Sequence, residues 1–158
     1  MVPFFISSIM NEKTIKILAV CLGNICQSPI CHGLLEHYAK NYDRQIIVDS
    51  AGTIGMHAGS PPDHRSVEIM HVHGHDISNQ RSRKFHHYDF EEFDIILAMD
   101  ISNYRDLCSL AVNEKEKSKV RMAIEGTNVP DPYYGGDEGF ENVYQMLDEA
   151  VQRLLNEL

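Results

Sequence analysis

The chain has 158 residues, which is a normal size for one domain with a buried core. It contains 14 Lys and Arg against 23 Asp and Glu, so its formal net charge is -9 with histidine neutral. This acidic balance argues against nucleic acid as a partner, because phosphate backbones are bound by clustered Lys and Arg.

We divide the chain into an N-terminal extension, residues 1–12, and one domain, residues 13–158. The extension has a short apolar run at residues 4–6 and no Lys or Arg before Lys13. Such a run is too short for a signal peptide or a membrane span. We therefore expect no membrane partner.

The four cysteines are Cys21, Cys26, Cys31 and Cys108, and three of them crowd into one segment. This is not the spacing of a secreted disulfide framework, so a reducing, cytoplasmic location is expected. The three crowded cysteines also lack the Cys-x-x-Cys spacing of zinc knuckles. We expect neither a metal nor a cofactor.

The first predicted strand covers residues 14–20 and has Cys21 at its carboxyl end. A helix is predicted to begin after a short loop, with Ser28 as its N-cap and Pro29 at its first position. A loop that runs from a strand into a helix N-terminus collects backbone N–H groups and forms an anion site. Cys21 is the candidate nucleophile, since such a site favours the thiolate.

Further strands are predicted at residues 45–49, 93–99 and 120–124, and further helices at residues 64–73, 102–110 and 140–154. Asp63 is the predicted cap of the helix at residues 64–73, and Gly74 its predicted end. The last helix is predicted from apolar residues at three- and four-residue spacing. Residues 49–53 are predicted as a turn, and residues 54–62, 76–88, 115–119 and 129–136 as connections. The alternation predicts a single α/β domain with a four-stranded parallel sheet flanked by helices, and a phosphate-binding loop between the first strand and the first helix. Ligands bind at the carboxyl ends of such strands, where the Cys21 loop and the Asp131 loop would meet.

Asp131 lies between two prolines and precedes Tyr133 and Tyr134. Prolines hold a loop in one shape, as a positioned general acid requires. From these residues alone, a catalytic acid and an ordinary turn aspartate are equally consistent. The two tyrosines fit either a rim around a planar substrate or ordinary packing.

The segment Cys21-Leu22-Gly23-Asn24-Ile25-Cys26-x-Ser28-Pro29 resembles the active-site loop of the low-molecular-weight protein tyrosine phosphatases. That loop has Cys, five residues, Arg, and then Ser or Thr. Further resemblances lie in family order at residues 49–53, 59–65, 93–103 and 131–135. The likeness extends from Ile15 to the C-terminus.

The resemblance implies a two-step hydrolysis of phosphotyrosine, with Cys21 as nucleophile and Asp131 as acid and then base. It implies that Ser28 hydrogen-bonds the Cys21 sulfur and that Asn24 braces the loop, partly against Ser50. The implied phosphate-binding residues are Leu22, Gly23, Asn24, Ile25, Cys26, Gln27 and Ser28. The implied substrate rim comprises Met56, Tyr133 and Tyr134. Expected ligands are phosphotyrosine proteins, small aryl phosphates and phosphate- or sulfate-like oxyanions, bound by a monomer.

The sequence departs from this family at Gln27, where the family has the catalytic arginine. Glutamine has no charge and no bidentate fork for phosphoryl oxygens, so reduced activity is expected. The chain would then be an impaired phosphatase, natural or engineered, or a pseudophosphatase that binds an oxyanion without turnover. An arsenate reductase is a remote alternative, because residues 74–93 contain no relay cysteine.

Two lesser departures are Asn79, where the family often has a loop-bracing histidine, and Met56 with His57, where it often has an aromatic wall. Cys21 and Cys26 flank the same curled loop. We therefore predict that Cys26 is the redox partner of Cys21 in a reversible disulfide.

Overall fold

The structure is a computed structural model that describes residues 14–133 and 135–158. The predicted extension, residues 1–12, and the predicted rim residue Tyr134 lie outside the described residues. Within the described ranges, no helix combines the length and apolar character that crossing a bilayer requires.

The predicted fold class is confirmed. The strands are β1 (Ile15–Cys21), β2 (Ile46–Gly52), β3 (Ile95–Ala98) and β4 (Val120–Met122). The helices are α1 (Gln27–Ala39), α2 (His64–Val72), α3 (Asp89–Glu92), α4 (Ile101–Leu110), α5 (Glu114–Lys117) and α6 (Gly136–Glu157). The four strands form one parallel sheet in the order β2-β1-β3-β4.

β1 lies inside the sheet, and both of its faces are buried. Ile17 and Ala19 belong to the core cluster that includes α1 and α6. Leu18 and Val20 belong to the opposite cluster, which includes Leu107 of α4. Burying one such aliphatic side chain contributes roughly 1.5–3 kcal/mol relative to leaving it exposed. This two-sided burial fixes the carboxyl end of β1, where Cys21 lies.

α6 follows the apolar spacing predicted for the last helix, although it begins at Gly136 rather than at residue 140. Phe140, Val143, Leu147 and Val151 are buried at intervals of three and four residues. These side chains share a core cluster with α1, so α6 holds the helix that follows the Cys21 loop.

Several predicted boundaries are wrong for identifiable reasons. β2 continues to Gly52, through the predicted turn, because its last residues still pair with β1, where Gly52 lies opposite Cys21. α1 begins at Gln27, so Ser28 is inside the first turn rather than at the N-cap. The four-residue helices α3 and α5 were not predicted, since one turn leaves no periodic signal. The predicted Asp63 cap of α2 is confirmed, because its carboxylate accepts from the backbone N–H of Arg65.

Candidate active site

The loop between β1 and α1 forms a cradle around the Cys21 sulfur. The Asn24 backbone N–H lies 3.2 Å from Cys21 Sγ, and Ser28 Oγ lies 3.0 Å from the same atom. The Asn24 side-chain amide donates to Ser28 Oγ at 2.8 Å, so the hydroxyl hydrogen of Ser28 is free to face the sulfur. Both contacts are compatible with a sulfur that accepts hydrogen bonds.

Asn24 determines the curl of this loop. Its φ is 57°, and it is the one non-glycine residue with a positive φ in the described part of the chain. Asparagine tolerates this left-handed conformation better than most residues. Its side-chain oxygen accepts from the backbone N–H of Arg83 at 3.0 Å. The brace therefore runs to Arg83, while Ser50, the expected partner, is bonded to His32 Nδ1 at 2.9 Å.

Gly52 lets the cradle pack against the end of β2. A Cβ at this position would lie 2.7 Å from the carbonyl oxygen of Leu22 and 3.0 Å from the backbone of Gly23. The next two residues extend the contact, since the N–H of Ile54 donates to the carbonyl of Leu22 at 3.0 Å. Only glycine fits this approach without moving the loop.

An arginine behind the cradle was missed by the sequence reasoning. Arg83 donates two hydrogen bonds to Asp89, at 3.0 and 3.1 Å, and one to Asp49 at 3.1 Å. Burial opposes the charge of Arg83, but the bonds to Asp89 and Asp49 outweigh it and raise the pKa of Arg83. The same residue supports Asn24 through its backbone, so this ion-pair cluster anchors the cradle from outside.

Gln27 connects the cradle to the segment before Asp131. Its side-chain Nε2 donates to the carbonyls of Val129 and Pro130, at 2.9 and 3.0 Å, and the residue is 5% exposed. Its own backbone N–H belongs to the first turn of α1, where N–H groups have no partner inside the helix. The side chain of Gln27 thus bonds the segment before Asp131, while its backbone N–H lies at the cradle.

The Asp131 loop is also tied to the start of α2. The Asp131 carboxylate accepts from the N–H of Tyr133 at 3.0 Å, and Asp131 is exposed. Arg65 donates to the carbonyl of Tyr133 at 2.7 Å and pairs with Asp63 at 3.0 Å. Its guanidinium carbon lies 4.7 Å from the ring centre of Phe140, the first buried residue of α6. Sequence reasoning noted Arg65 only as part of a resembling segment.

The segment contains two further buried thiols, Cys26 and Cys31. Burial, followed by the charges of Asp63 and Cys21, raises the pKa of Cys26 to about 12. Burial raises the pKa of Cys31 to about 12 as well. Both are therefore neutral thiols at neutral pH. All four cysteines of the chain are free.

The two predicted rim residues that the structure describes, Met56 and Tyr133, lie in different loops. Met56, 75% exposed, lies in the loop that follows β2, and Tyr133, 41% exposed, lies in the Asp131 loop. Leu22, 51% exposed, adds an apolar side chain from the cradle itself. His57 lies against the cradle at Gly23, where an added Cβ would be 3.1 Å from the His57 ring. These exposed side chains are mainly apolar, and apolar surface of this kind suits contact with an aromatic ring.

Comparison with known proteins agrees with this geometry. Residues 16–158 match the sequence model of the family described as low molecular weight phosphotyrosine protein phosphatase. The chain is 40% identical over 151 residues to a putative low molecular weight protein-tyrosine-phosphatase of Synechocystis sp., covering 90% of this chain and 96% of that one. It is also 40% identical over 154 residues to the human low molecular weight phosphotyrosine protein phosphatase, covering 92% and 96% of the two chains.

Solved structures show the same likeness. A protein tyrosine phosphatase from Entamoeba histolytica, crystallised with Hepes in its active site, superposes with a TM-score of 0.85 at 36% identity, covering 90% of this chain and 96% of that one. Vibrio vulnificus Wzb in complex with benzylphosphonate gives a TM-score of 0.82 at 29% identity, covering 91% and 99%. With the cradle around Cys21, these matches show that the chain belongs to the low molecular weight phosphotyrosine protein phosphatase family.

Proposed function

We propose that the chain hydrolyses phosphotyrosine through a cysteinyl-phosphate on Cys21. The observation that supports this most directly is the pair of contacts from the Asn24 N–H and the Ser28 hydroxyl to the Cys21 sulfur. A sulfur held as an acceptor at the base of a loop of backbone N–H groups is suited to attack a bound phosphoryl group.

In the first step, Cys21 Sγ forms a bond to phosphorus while the bond from phosphorus to the aryl oxygen breaks. Asp131 gives its proton to the departing oxygen, so that a neutral phenol leaves. The backbone N–H groups of residues 22–28 and the N-terminus of α1 hold the phosphoryl oxygens. In the second step, water attacks phosphorus, the S–P bond breaks, and the water proton goes to the Asp131 carboxylate.

Gln27 at the family's arginine position is proposed to slow this reaction. The cradle sequence, residues 21–28, contains no Lys or Arg to counter the charge of the transferred group. By analogy with arginine fingers, the loss of such a charge costs on the order of 10³–10⁵ in rate. The side chain of Gln27 is also engaged with the carbonyls of Val129 and Pro130.

A pseudophosphatase is the second candidate function, and this engagement favours it. A cradle without a cation can still bind an oxyanion through backbone N–H groups. It would then hold a phosphotyrosine protein, a small aryl phosphate or a free oxyanion without turning it over. The related phosphotyrosine protein phosphatases support phosphotyrosine as the ligand in either case.

The setting that we propose is a monomer in the cytoplasm, without metal or cofactor, and without a nucleic acid or membrane partner. Four free thiols support a reducing compartment. One chain supplies Cys21, Gln27 and Asp131, which supports activity without a second copy.

Turnover of 4-nitrophenyl phosphate tests the proposal in the unchanged chain, in Cys21→Ser and in Gln27→Arg. We expect slow turnover that Cys21→Ser abolishes and that Gln27→Arg raises by orders of magnitude. If neither the unchanged chain nor Gln27→Arg hydrolyses the ester, the enzyme proposal fails. Calorimetry with inorganic phosphate then decides whether the cradle binds an oxyanion at all.

A further inference from the structure

Gln27 joins two parts of the site that are far apart in the sequence. It is the first residue of α1, and its Nε2 donates to two successive carbonyls, those of Val129 and Pro130. These carbonyls come directly before Asp131. The residue is 5% exposed, so water competes little for these bonds.

In the part of the loop that the structure describes, hydrogen bonds attach the chain on both sides of Asp131. Before Asp131, the N–H of Val129 donates at 2.8 Å to the carbonyl of the residue that follows β3. After Asp131, Arg65 donates to the carbonyl of Tyr133. Gln27 supplies the attachment to α1, the helix whose first turn contributes N–H groups to the cradle. Because Asp131 itself is exposed, its position depends on these neighbouring bonds.

A primary amide is suited to this contact. Its two N–H bonds share one nitrogen and can reach two adjacent carbonyls at once. A carboxylate at residue 27 would place lone pairs against the two carbonyl oxygens. Methionine would fill a similar volume without donating. With a carboxylate or a methionine at residue 27, the carbonyl of Val129, a buried residue, loses its hydrogen-bond donor. The loop then has to move before another donor can reach that carbonyl.

We propose that Gln27 is a positioning residue whose carboxamide holds the Asp131 loop against α1, so that Asp131 is aligned with the leaving oxygen. Its catalytic consequence rests on the proposed function. As the Cys21 sulfur bonds to phosphorus and the aryl oxygen departs, the proton passes from Asp131 to that oxygen. The carboxamide of Gln27 does not hold the phosphoryl group, which is left to backbone N–H groups.

The dependence on the leaving group tests this role. Gln27→Met has no donor, and Gln27→Asn keeps the amide but is one methylene shorter. Phenyl phosphate releases a more basic oxygen than 4-nitrophenyl phosphate and therefore needs the proton more. Since a general acid contributes about 10²–10⁴-fold, we expect kcat/KM to fall about 10-fold or more on phenyl phosphate and about 2-fold on 4-nitrophenyl phosphate. The inhibition constant of inorganic phosphate should change by less than about 2-fold.

Gln80→Met is the matched control. Gln80 also donates from Nε2 to a backbone carbonyl of the first turn of α1, that of Pro29 at 3.1 Å, but it does not bond the Asp131 loop. We expect this variant to keep the ratio of kcat/KM values for the two esters. Equal losses on both esters in the Gln27 variants, or a parallel loss of phosphate affinity, would overturn the proposal.

Amide hydrogen exchange provides a readout that does not need turnover. In Gln27→Met and Gln27→Asn, the amides of Tyr133 and Gly135, which donate to Asp131 and Pro132 inside the loop, should exchange faster than in the unchanged chain. The amides of β1 should keep their protection and show that the variant is folded. Unchanged exchange in the loop overturns the positioning role. If neither the unchanged chain nor Gln27→Arg hydrolyses either ester, the proposed function fails, and the exchange rates still decide whether Gln27 holds the loop.

Discussion

Replacement of Arg83 by methionine should destabilise the fold strongly. Arg83 gives two of its hydrogen bonds to Asp89, whose side chain is 2% exposed, and one to Asp49, whose side chain is 45% exposed. Arg83→Met leaves the Asp89 carboxylate buried without its counter-charge. Breaking a buried pair in this way costs about 3–5 kcal/mol, and the exposed Asp49 pair adds at most about 1 kcal/mol.

Urea unfolding near neutral pH measures this loss, and Arg121→Met is the matched control. Arg121 pairs with Glu157 at 3.1 Å, but the two side chains are 48% and 52% exposed. We expect Arg121→Met to change the free energy of unfolding by no more than about 1 kcal/mol. A loss for Arg83→Met that is no larger than this control value refutes the reasoning.

The double variant Arg83→Met with Asp89→Asn separates the charge from the packing. The neutral amide leaves no unpaired carboxylate in the interior. We therefore expect the double variant to be more stable than Arg83→Met alone, with an interaction energy of about 0.5–3 kcal/mol. Strictly additive losses would show that the two side chains do not act as a pair.

Three further predictions concern the thiols, a histidine and the cradle. Peroxide should oxidise Cys21 to a sulfenic acid, and the Cys26 thiol should then attack that sulfur and release water, which forms a reversible disulfide. Recovery of Cys21 as sulfinic acid with Cys26 free in thiol mapping contradicts this prediction. Burial, followed by the charge of His37, lowers the pKa of His75 below its ordinary value of 6.5. The folded state therefore disfavours protonation of His75, and its free energy of unfolding decreases as pH falls below that value. His75→Phe should therefore flatten the change in unfolding free energy between about pH 7.5 and about pH 5.5, and an unchanged slope counts against it. Asn24→Ala should cost about 1–3 kcal/mol in urea unfolding, and Asn24→Gly should cost less because glycine accepts the positive φ.

The sequence was sufficient for features that depend on local pattern. α6 was predicted from apolar residues three and four positions apart, and the end of α2 from Gly74, which has a φ of 89°. The contact between Cys21 and Ser28 spans seven positions and was expected from the resemblance. In each case, the residues that determine the structure lie within a few turns of one another.

Features that depend on distant partners could not be predicted. Gln27 bonds carbonyls that are 102 and 103 positions away, and backbone carbonyls have no signature in a sequence. Arg83 lies in a polar stretch, and its pairing with Asp49 needs the sheet to bring the two together. Ser28 has the chemistry of an N-cap, but the helix begins one residue earlier, at Gln27, so Ser28 lies inside its first turn.

The source of positive potential at the cradle follows from these pairings. Arg83 and Arg65, which support the cradle and the Asp131 loop, are each bonded to carboxylates, so their charges are largely balanced. The attraction for an oxyanion must therefore come from backbone N–H groups and the dipole of α1. In a chain of net charge -9, α5 and α6 begin with acidic first turns, whereas the first turn of α1 has none. A bound phosphoryl group would supply at α1 the negative charge that glutamate and aspartate supply at the other two helices. Binding of phosphate by the cradle is thus compatible with an acidic protein whose loop, residues 21–28, contains no arginine.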